Sequence, residues 1–221
     1  MSNRLFANPA DCVIDLDDTP VVTIDLDIME NNIRRFQAAC DEAGVKLRPH
    51  IKTHKIPALA RMQLDAGAAG IACQKLGEAE VMQAAGIDDI MLTYNIVGKA
   101  KLERLDRLAA QCDLKVVCDN RKVADGLSAA IQGSGARLKV LVECDTGAGR
   151  NGAQTPEEAA DLAAYIANRP GLAFAGLMTY PITAQTAAFL AEAHEELDRR
   201  GLKAEIVSTG GTPTLGLLRD V

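Results

Sequence analysis

The sequence predicts an α/β protein of 221 residues, folded as a (β/α)8 TIM-type barrel that is incomplete at its C-terminal end. Three observations favour this fold. Apolar or β-branched segments alternate with helical stretches rich in Ala, Leu, Glu and Arg. The βα unit recurs many times, which indicates a barrel or a doubly wound sheet. Polar residues alternate on several strands, and a barrel interior can hold them.

The predicted elements follow a lead-in segment, residues 1–20. An alternating run at residues 21–26 precedes a helix that turns one apolar face inward and ends near Gly44. Seven strands are then predicted, at residues 47–52, 70–74, 90–94, 115–118, 138–145, 172–180 and 204–208. An eighth should begin at residues 217–221. No linker divides the chain, so residues 1–221 are interpreted as one domain.

Charge, hydropathy and cysteine content argue against several classes of function. A net charge of -6 without a Lys/Arg tract gives no reason to expect nucleic acid or an anionic membrane as partner. No apolar window reaches the length of a membrane span and no export segment is indicated, so a cytoplasmic enzyme is expected. The six cysteines form no C-x-x-C pair and are predicted to be buried, reduced thiols.

The segment Arg-Pro-His-Ile-Lys-Thr-His-Lys, residues 48–55, carries the first candidate site. Strand alternation would set Arg48, His50 and Lys52 on one face. Basic neighbours disfavour an ammonium group, and a free amine is what forms an imine with an aldehyde. Lys52 is therefore the candidate Schiff-base lysine. The alternative is a solvated basic edge strand.

Further candidates follow later strands. Arg150 lies in a glycine-rich loop, residues 147–152, and offers a cation for a phenolate, carboxylate or phosphate oxygen, although the loop could be an ordinary βα turn. Tyr180 ends a strand and could stack on a planar ligand or be a rim tyrosine. Gln74 could hydrogen-bond a ligand ring or satisfy loop backbone.

A hydroxyl-Gly-Gly-hydroxyl sequence follows the seventh predicted strand. Its N–H groups and hydroxyls favour a phosphate nest over a flexible turn, and no Walker lysine accompanies it. A lysine, an arginine, a tyrosine and this nest together indicate a pocket for pyridoxal 5'-phosphate. The nest consists of Ser208, Thr209, Gly210, Gly211 and Thr212.

These motifs resemble those of the alanine-racemase-like, fold-type III pyridoxal phosphate enzymes, in particular the group of D-threonine aldolase, D-3-hydroxyaspartate aldolase and D-serine dehydratase. The resemblance implies that Lys52 binds the cofactor covalently, with His50 and Gln74 in the same pocket. It also implies that Arg150 contacts the phenolic oxygen, Tyr180 lies by the ring and residues 208–212 hold the phosphate. The motifs are residues 19–26, 48–55, 71–80, 142–150, 176–180 and 208–212.

The resemblance also implies an activity. A lyase would cleave D-β-hydroxy amino acids such as D-threonine to glycine and an aldehyde. The alternatives are a D-serine dehydratase-like elimination, a non-catalytic pyridoxal phosphate carrier or a truncated fragment. A D-amino acid substrate is expected, and a homodimer is left open.

The chain departs from the group in two ways. The group continues into an eighth strand and a C-terminal β-domain with divalent-metal ligands, so ligands for manganese or magnesium would lie outside this chain. Residues 178–182 read Met-Thr-Tyr-Pro-Ile where the group often has Gln-Ala-Tyr-His-Gly.

Overall fold

Six parallel strands form one curled sheet in the computed structural model, which describes residues 20–131, 135, 137–214 and 216. The strands follow chain order, and each pairs with the next. They are β1 Ile71–Cys73, β2 Asp89–Leu92, β3 Asp113–Cys118, β4 Leu138–Cys144, β5 Leu172–Thr179 and β6 Ile206–Ser208. This half-barrel confirms the predicted incomplete barrel. The predicted lead-in and eighth strand fall largely on residues 1–19 and 217–221, outside the described residues.

Helices precede the sheet and connect its strands. Asp25 begins the first of them, because its side chain accepts a hydrogen bond from the Ile28 N–H at 3.0 Å. Thr155 caps the sixth in the same way, from Glu158 N–H at 3.1 Å, with Pro156 in the first turn. The helices are α1 Leu26–Glu42, α2 Pro57–Asp65, α3 Leu76–Ala84, α4 Lys99–Ala109, α5 Arg121–Ile131, α6 Pro156–Ala167 and α7 Thr186–Arg199.

The first predicted strand, residues 47–52, is wrong as a regular strand. Its backbone runs beside β1 and His50 forms an isolated parallel bridge with Ala72. The chain then turns, because Lys55 N–H bonds to the Ile51 carbonyl at 2.8 Å. Lys52 therefore lies in a turn. The alternating run at residues 21–26 is also irregular up to Asp25, and Leu26 already belongs to α1.

The two faces of the sheet bury different cores. Alternate residues of β4, such as Val140 and Val142, pack toward the helices in a large aliphatic core. Leu141 points to the concave face, where it joins a smaller apolar cluster with Met91 and Met178. This cluster separates the amino-terminal end of the concave face from the carboxyl-terminal end.

The cysteines of the described part, residues 20–216 with short gaps, are free thiols, as predicted. Cys40, Cys73, Cys118 and Cys144 are buried, and burial raises the pKa of Cys144 to about 12. None of the described helices is long and apolar enough to cross a bilayer.

Candidate active site

Three of the predicted site residues surround one aromatic ring at the carboxyl ends of the strands. Lys52 Nζ lies 5.7 Å from the centre of the Tyr180 ring, and the Arg150 guanidinium carbon lies 4.9 Å from the same centre. Gly211 approaches the ring from β6: a Cβ there would lie 3.3 Å from Tyr180 Cε2, and its φ of +136° also disfavours a side chain. Residues distant in sequence thus form one cluster.

The turn that carries Lys52 is anchored on both sides. Ile51 is fully buried in the main core. Lys55, which has a left-handed φ of 56°, forms an ion pair with Glu78. Glu78 is buried and also accepts the Gln74 N–H at 2.8 Å. Burial would raise the pKa of Glu78, but the bonds from Lys55 and Gln74 outweigh this and lower it. These contacts fix the backbone on either side of the lysine.

His50 lies beside Lys52 as a neutral imidazole. Its Nδ1 accepts the Lys52 backbone N–H at 3.3 Å, so the ring proton lies on Nε2, which is 3.1 Å from the Thr93 hydroxyl. Burial, followed by the charge of Lys52, lowers the pKa of His50 to about 4, although the Gln74 side chain acts in the opposite direction. His50 therefore lies next to the lysine without adding a positive charge near neutral pH, and the Gln74 side chain acts on the His50 ring.

Arg150 is held by a loop built around one carboxylate. Asp145 accepts backbone N–H bonds from Gly147, Ala148 and Gly149 on Oδ1 and from Arg150 on Oδ2, at 2.7 to 3.0 Å. Burial would raise the pKa of Asp145, but these four bonds lower it. Within the described residues the Arg150 guanidinium forms no ion pair, so it is available to an anionic ligand.

The loop closes against the end of β4. Ala153 N–H donates to the Glu143 carbonyl at 2.8 Å, and Asp145 N–H donates to the Ala153 carbonyl at 2.9 Å. Gly152 makes this approach possible, because a Cβ there would lie 2.7 Å from the Glu143 carbonyl oxygen. The loop therefore presents Arg150 from a rigid base.

The predicted phosphate nest follows β6. Ser208 pairs in register with Met178 of β5, and the Gly210 carbonyl accepts the Ile182 N–H at 3.4 Å. The Thr209 hydroxyl is buried and has no hydrogen-bond partner among the residues that the structure describes, whereas Thr212 is exposed at the start of a short 3₁₀ turn. A buried hydroxyl without a protein partner is what a polar ligand would satisfy.

Sequence reasoning missed three acidic residues at this end of the sheet: Glu78, Asp145 and Glu143. Glu143 offered a signal, because it is a single charged residue in the apolar strand β4. Glu78 and Asp145 fall within the motifs at residues 71–80 and 142–150, but their bonds to backbone N–H groups arise only in the folded chain and were not predicted. No cluster of three or more His, Cys, Asp or Glu residues suited to a metal ion is found in the part of the chain that the structure describes.

A parallel βα sheet with a lysine, an arginine and a hydroxyl-glycine loop at its carboxyl ends defines a barrel-type α/β fold, with groups at that end whose chemistry suits a small anionic ligand. The family follows from comparison. The alanine racemase N-terminal domain family matches residues 24–219, and the chain belongs to this family. The resemblance stated from the motifs is thereby confirmed.

Several relatives with named activities are similar to this chain. The chain is 39% identical over 209 residues to D-threonine aldolase of Arthrobacter sp, covering 88% of this chain and 55% of that protein. It is 36% identical over 211 residues to 3-hydroxy-D-aspartate aldolase of Paracoccus denitrificans (strain Pd 1222), covering 88% and 54%. The crystal structure of D-threonine aldolase from Filomicrobium marinum matches with a TM-score of 0.87 at 34% identity, covering 92% and 59%. The chain thus spans about half the length of these relatives.

Proposed function

We propose that this protein is a pyridoxal phosphate-dependent lyase that cleaves the Cα–Cβ bond of D-β-hydroxy amino acids such as D-threonine, giving glycine and an aldehyde. The observation that carries the proposal is the arrangement of Lys52 and Arg150 about the Tyr180 ring. Similarity to aldolases acting on D-threonine and 3-hydroxy-D-aspartate supports the substrate class.

The chemistry of the described residues fits pyridoxal phosphate. Lys52 provides an exposed amine on an anchored turn, and Arg150 provides a cation without an ion-pair partner among the described residues. The Thr209 hydroxyl, which has no hydrogen-bond partner in the same part of the chain, suits a phosphate together with the N–H groups of the glycines that follow it. The aldehyde, the phenolic oxygen and the phosphate of the cofactor would thus each meet a group of complementary chemistry.

Each of these residues has a distinct task. Lys52 would bind the cofactor aldehyde, and Tyr180 would hold the ring in place. Ser208, Thr209, Gly210, Gly211 and Thr212 would bind the phosphate, and Arg150 would bind the phenolic oxygen. When bound, pyridoxal phosphate supplies the electron sink for bond cleavage at Cα. His50 would keep its neutral form beside Lys52, with Gln74 in contact with its ring.

Elimination of water is the second candidate. The chain is 33% identical over 212 residues to D-threo-3-hydroxyaspartate dehydratase of Delftia sp. (strain HT23), which covers 56% of that protein. The same lysine and arginine would serve a D-serine dehydratase-like reaction. The proposal also includes a divalent metal, manganese or magnesium, a cytoplasmic location and a homodimer.

Borohydride trapping tests the central role of Lys52. The protein is incubated with pyridoxal phosphate, reduced, digested and mapped, and the label is expected on Lys52 in the wild type. Lys52→Met is expected to abolish that label, while Lys55→Met keeps it, because Lys55 is paired with Glu78. A label on another lysine, or none in a protein saturated with the vitamin, would contradict the proposal.

Product analysis then separates the candidate functions. Aldehyde and glycine from D-threonine, with or without added manganese, support the aldolase. Pyruvate from D-serine supports the dehydratase. Labelling of Lys52 without turnover of either substrate would leave the carrier function and overturn the lyase.

A further inference from the structure

A buried carboxyl group lies at the same end of the sheet, and the proposed chemistry does not use it. Glu143 is the penultimate residue of β4 and is only 5% exposed. Its neighbours Val142 and Cys144 face the helices, so Glu143 lies on the concave face of the sheet, like Leu141. Its Oε2 atom accepts no hydrogen bond from the described part of the chain. An unpartnered buried carboxyl oxygen is costly and calls for an explanation.

The groups around this carboxyl point to the Arg150 loop. The amide of Asn151 lies beside it, yet Asn151 Nδ2 is also buried without a partner. Arg150 acts on it through its positive charge, and Asp119 at the end of β3 acts in the opposite direction. Cys144 is adjacent in the chain, and Met178, opposite on β5, does not titrate. The positive charge that acts on Glu143 thus belongs to Arg150, the proposed ligand for the cofactor's phenolic oxygen.

Glu143 changes charge near neutral pH. Burial is the largest effect and raises its pKa, the Asn151 amide and Arg150 lower it, and Asp119 raises it, giving about 7. At lower pH the Glu143 carboxyl group is neutral, so it does not attract the Arg150 guanidinium. At higher pH the carboxylate attracts the guanidinium, which has no other ion-pair partner among the described residues.

We propose that Glu143 is a positioning residue for Arg150, whose ionised carboxylate competes with the cofactor's phenolic oxygen for the guanidinium. The inference rests on the proposed function, because it assumes that Arg150 faces that oxygen. It adds a regulatory feature: protonation of one buried side chain sets how much positive charge the site presents to its ligand.

The test is the pH dependence of pyridoxal phosphate affinity, measured by absorbance titration at pH 5.5 and pH 8 in wild type and Glu143→Gln. The ratio of the dissociation constant at pH 8 to that at pH 5.5 is expected to be larger in the wild type than in Glu143→Gln, by about threefold or more. Titration of the cofactor itself is common to both proteins and cancels. Glu80→Gln, which loses a surface pair with Arg104, should keep the wild-type ratio.

A second pair of variants tests whether the effect of Glu143 on cofactor affinity depends on Arg150. In Arg150→Gln, adding Glu143→Gln should no longer change the ratio. Equal ratios in wild type and Glu143→Gln would overturn the inference, as would an unchanged effect of Glu143→Gln in the Arg150→Gln background. If Lys52 is labelled by borohydride and the ratios are equal, only the inference fails. If Lys52 is unlabelled but the ratios differ as expected, only the proposed covalent role of Lys52 is contradicted. If the wild type does not bind the cofactor, both fail.

Discussion

The amino-terminal and carboxyl-terminal ends of the sheet both carry charged residues. The two ends differ in whether those residues have partners of opposite charge. At the amino-terminal end, Lys115 is buried and bonds to Asp89 at 2.8 Å and Asp113 at 2.9 Å. Arg48 reaches Asp89 with two hydrogen bonds, and Lys139 bonds to Asp113 at 2.7 Å. Each charge of this cluster has at least one opposite partner.

At the carboxyl-terminal end, charges are left without such partners. Neither Lys52 nor Arg150 forms an ion pair within the described residues, and Glu143 keeps one oxygen unbonded. Removing one member of a buried ion pair destabilises a fold because it leaves the other member without its partner. Lys52 and Arg150 are exposed, so leaving them unpaired costs the fold little and keeps them available to a ligand, whereas Glu143 is buried and its unbonded oxygen calls for an explanation. The comparison therefore separates residues that we expect to affect stability from those that we expect to affect binding.

A large loss of stability is expected at the amino-terminal end. Lys115→Met removes the buried ammonium and its bonds to two carboxylates, although Asp89 keeps Arg48 and Asp113 keeps Lys139 as partners. The free energy of unfolding should therefore fall by about 3 kcal/mol in urea titrations, because two hydrogen bonds between charged groups are lost. Lys139→Met is the matched control. Its side chain is 44% exposed and has one carboxylate partner, so the loss should stay below about 1 kcal/mol. Equal losses in Lys115→Met and Lys139→Met would show that the burial of Lys115 does not make its removal more costly.

Lys52→Met extends the comparison to the other end. The side chain is exposed and has no ion-pair partner in the described part of the chain, so the free energy of unfolding should change by less than about 0.5 kcal/mol. Borohydride labelling should nevertheless be lost. A large destabilisation by this substitution would mean that Lys52 has a structural role like that of Lys115.

The same contrast explains what could be predicted from sequence. Apolar periodicity identified the six strands of the sheet, and the hydroxyl-glycine loop after β6 was visible because its residue types are unusual for a plain turn. The turn at Lys52 was not predicted, because it depends on the hydrogen bond from Lys55 to Ile51 and on the distant Glu78. The amino-terminal cluster joins residues from four segments, and such pairings depend on strand register, which local patterns do not specify.

Glu143→Gln should stabilise the protein at alkaline pH. Because burial raises the folded-state pKa of Glu143 to about 7, the folded protein retains a proton that the unfolded chain releases above its ordinary value of 4.5. Stability in the wild type should therefore decline as pH rises from about 4.5 to 7, by roughly 3 kcal/mol in total. The glutamine variant should lack this decline and match the wild type near pH 4.5. Identical pH profiles of unfolding would contradict a buried, neutral Glu143.

A small effect is expected when acid protonates the amino-terminal cluster. Burial would raise the pKa of Asp89, but hydrogen bonds from Arg48 and Lys115 lower it below its ordinary value of 3.8. Its contribution is therefore present above that value and is lost as pH falls through the lower folded-state pKa. With the Asp89 side chain 35% exposed, Asp89→Asn should remove under about 1 kcal/mol of the acid dependence of unfolding. Asp198→Asn, on α7 away from the sheet, should leave it unchanged, and a similar change in both variants would show that the amino-terminal cluster does not account for acid sensitivity.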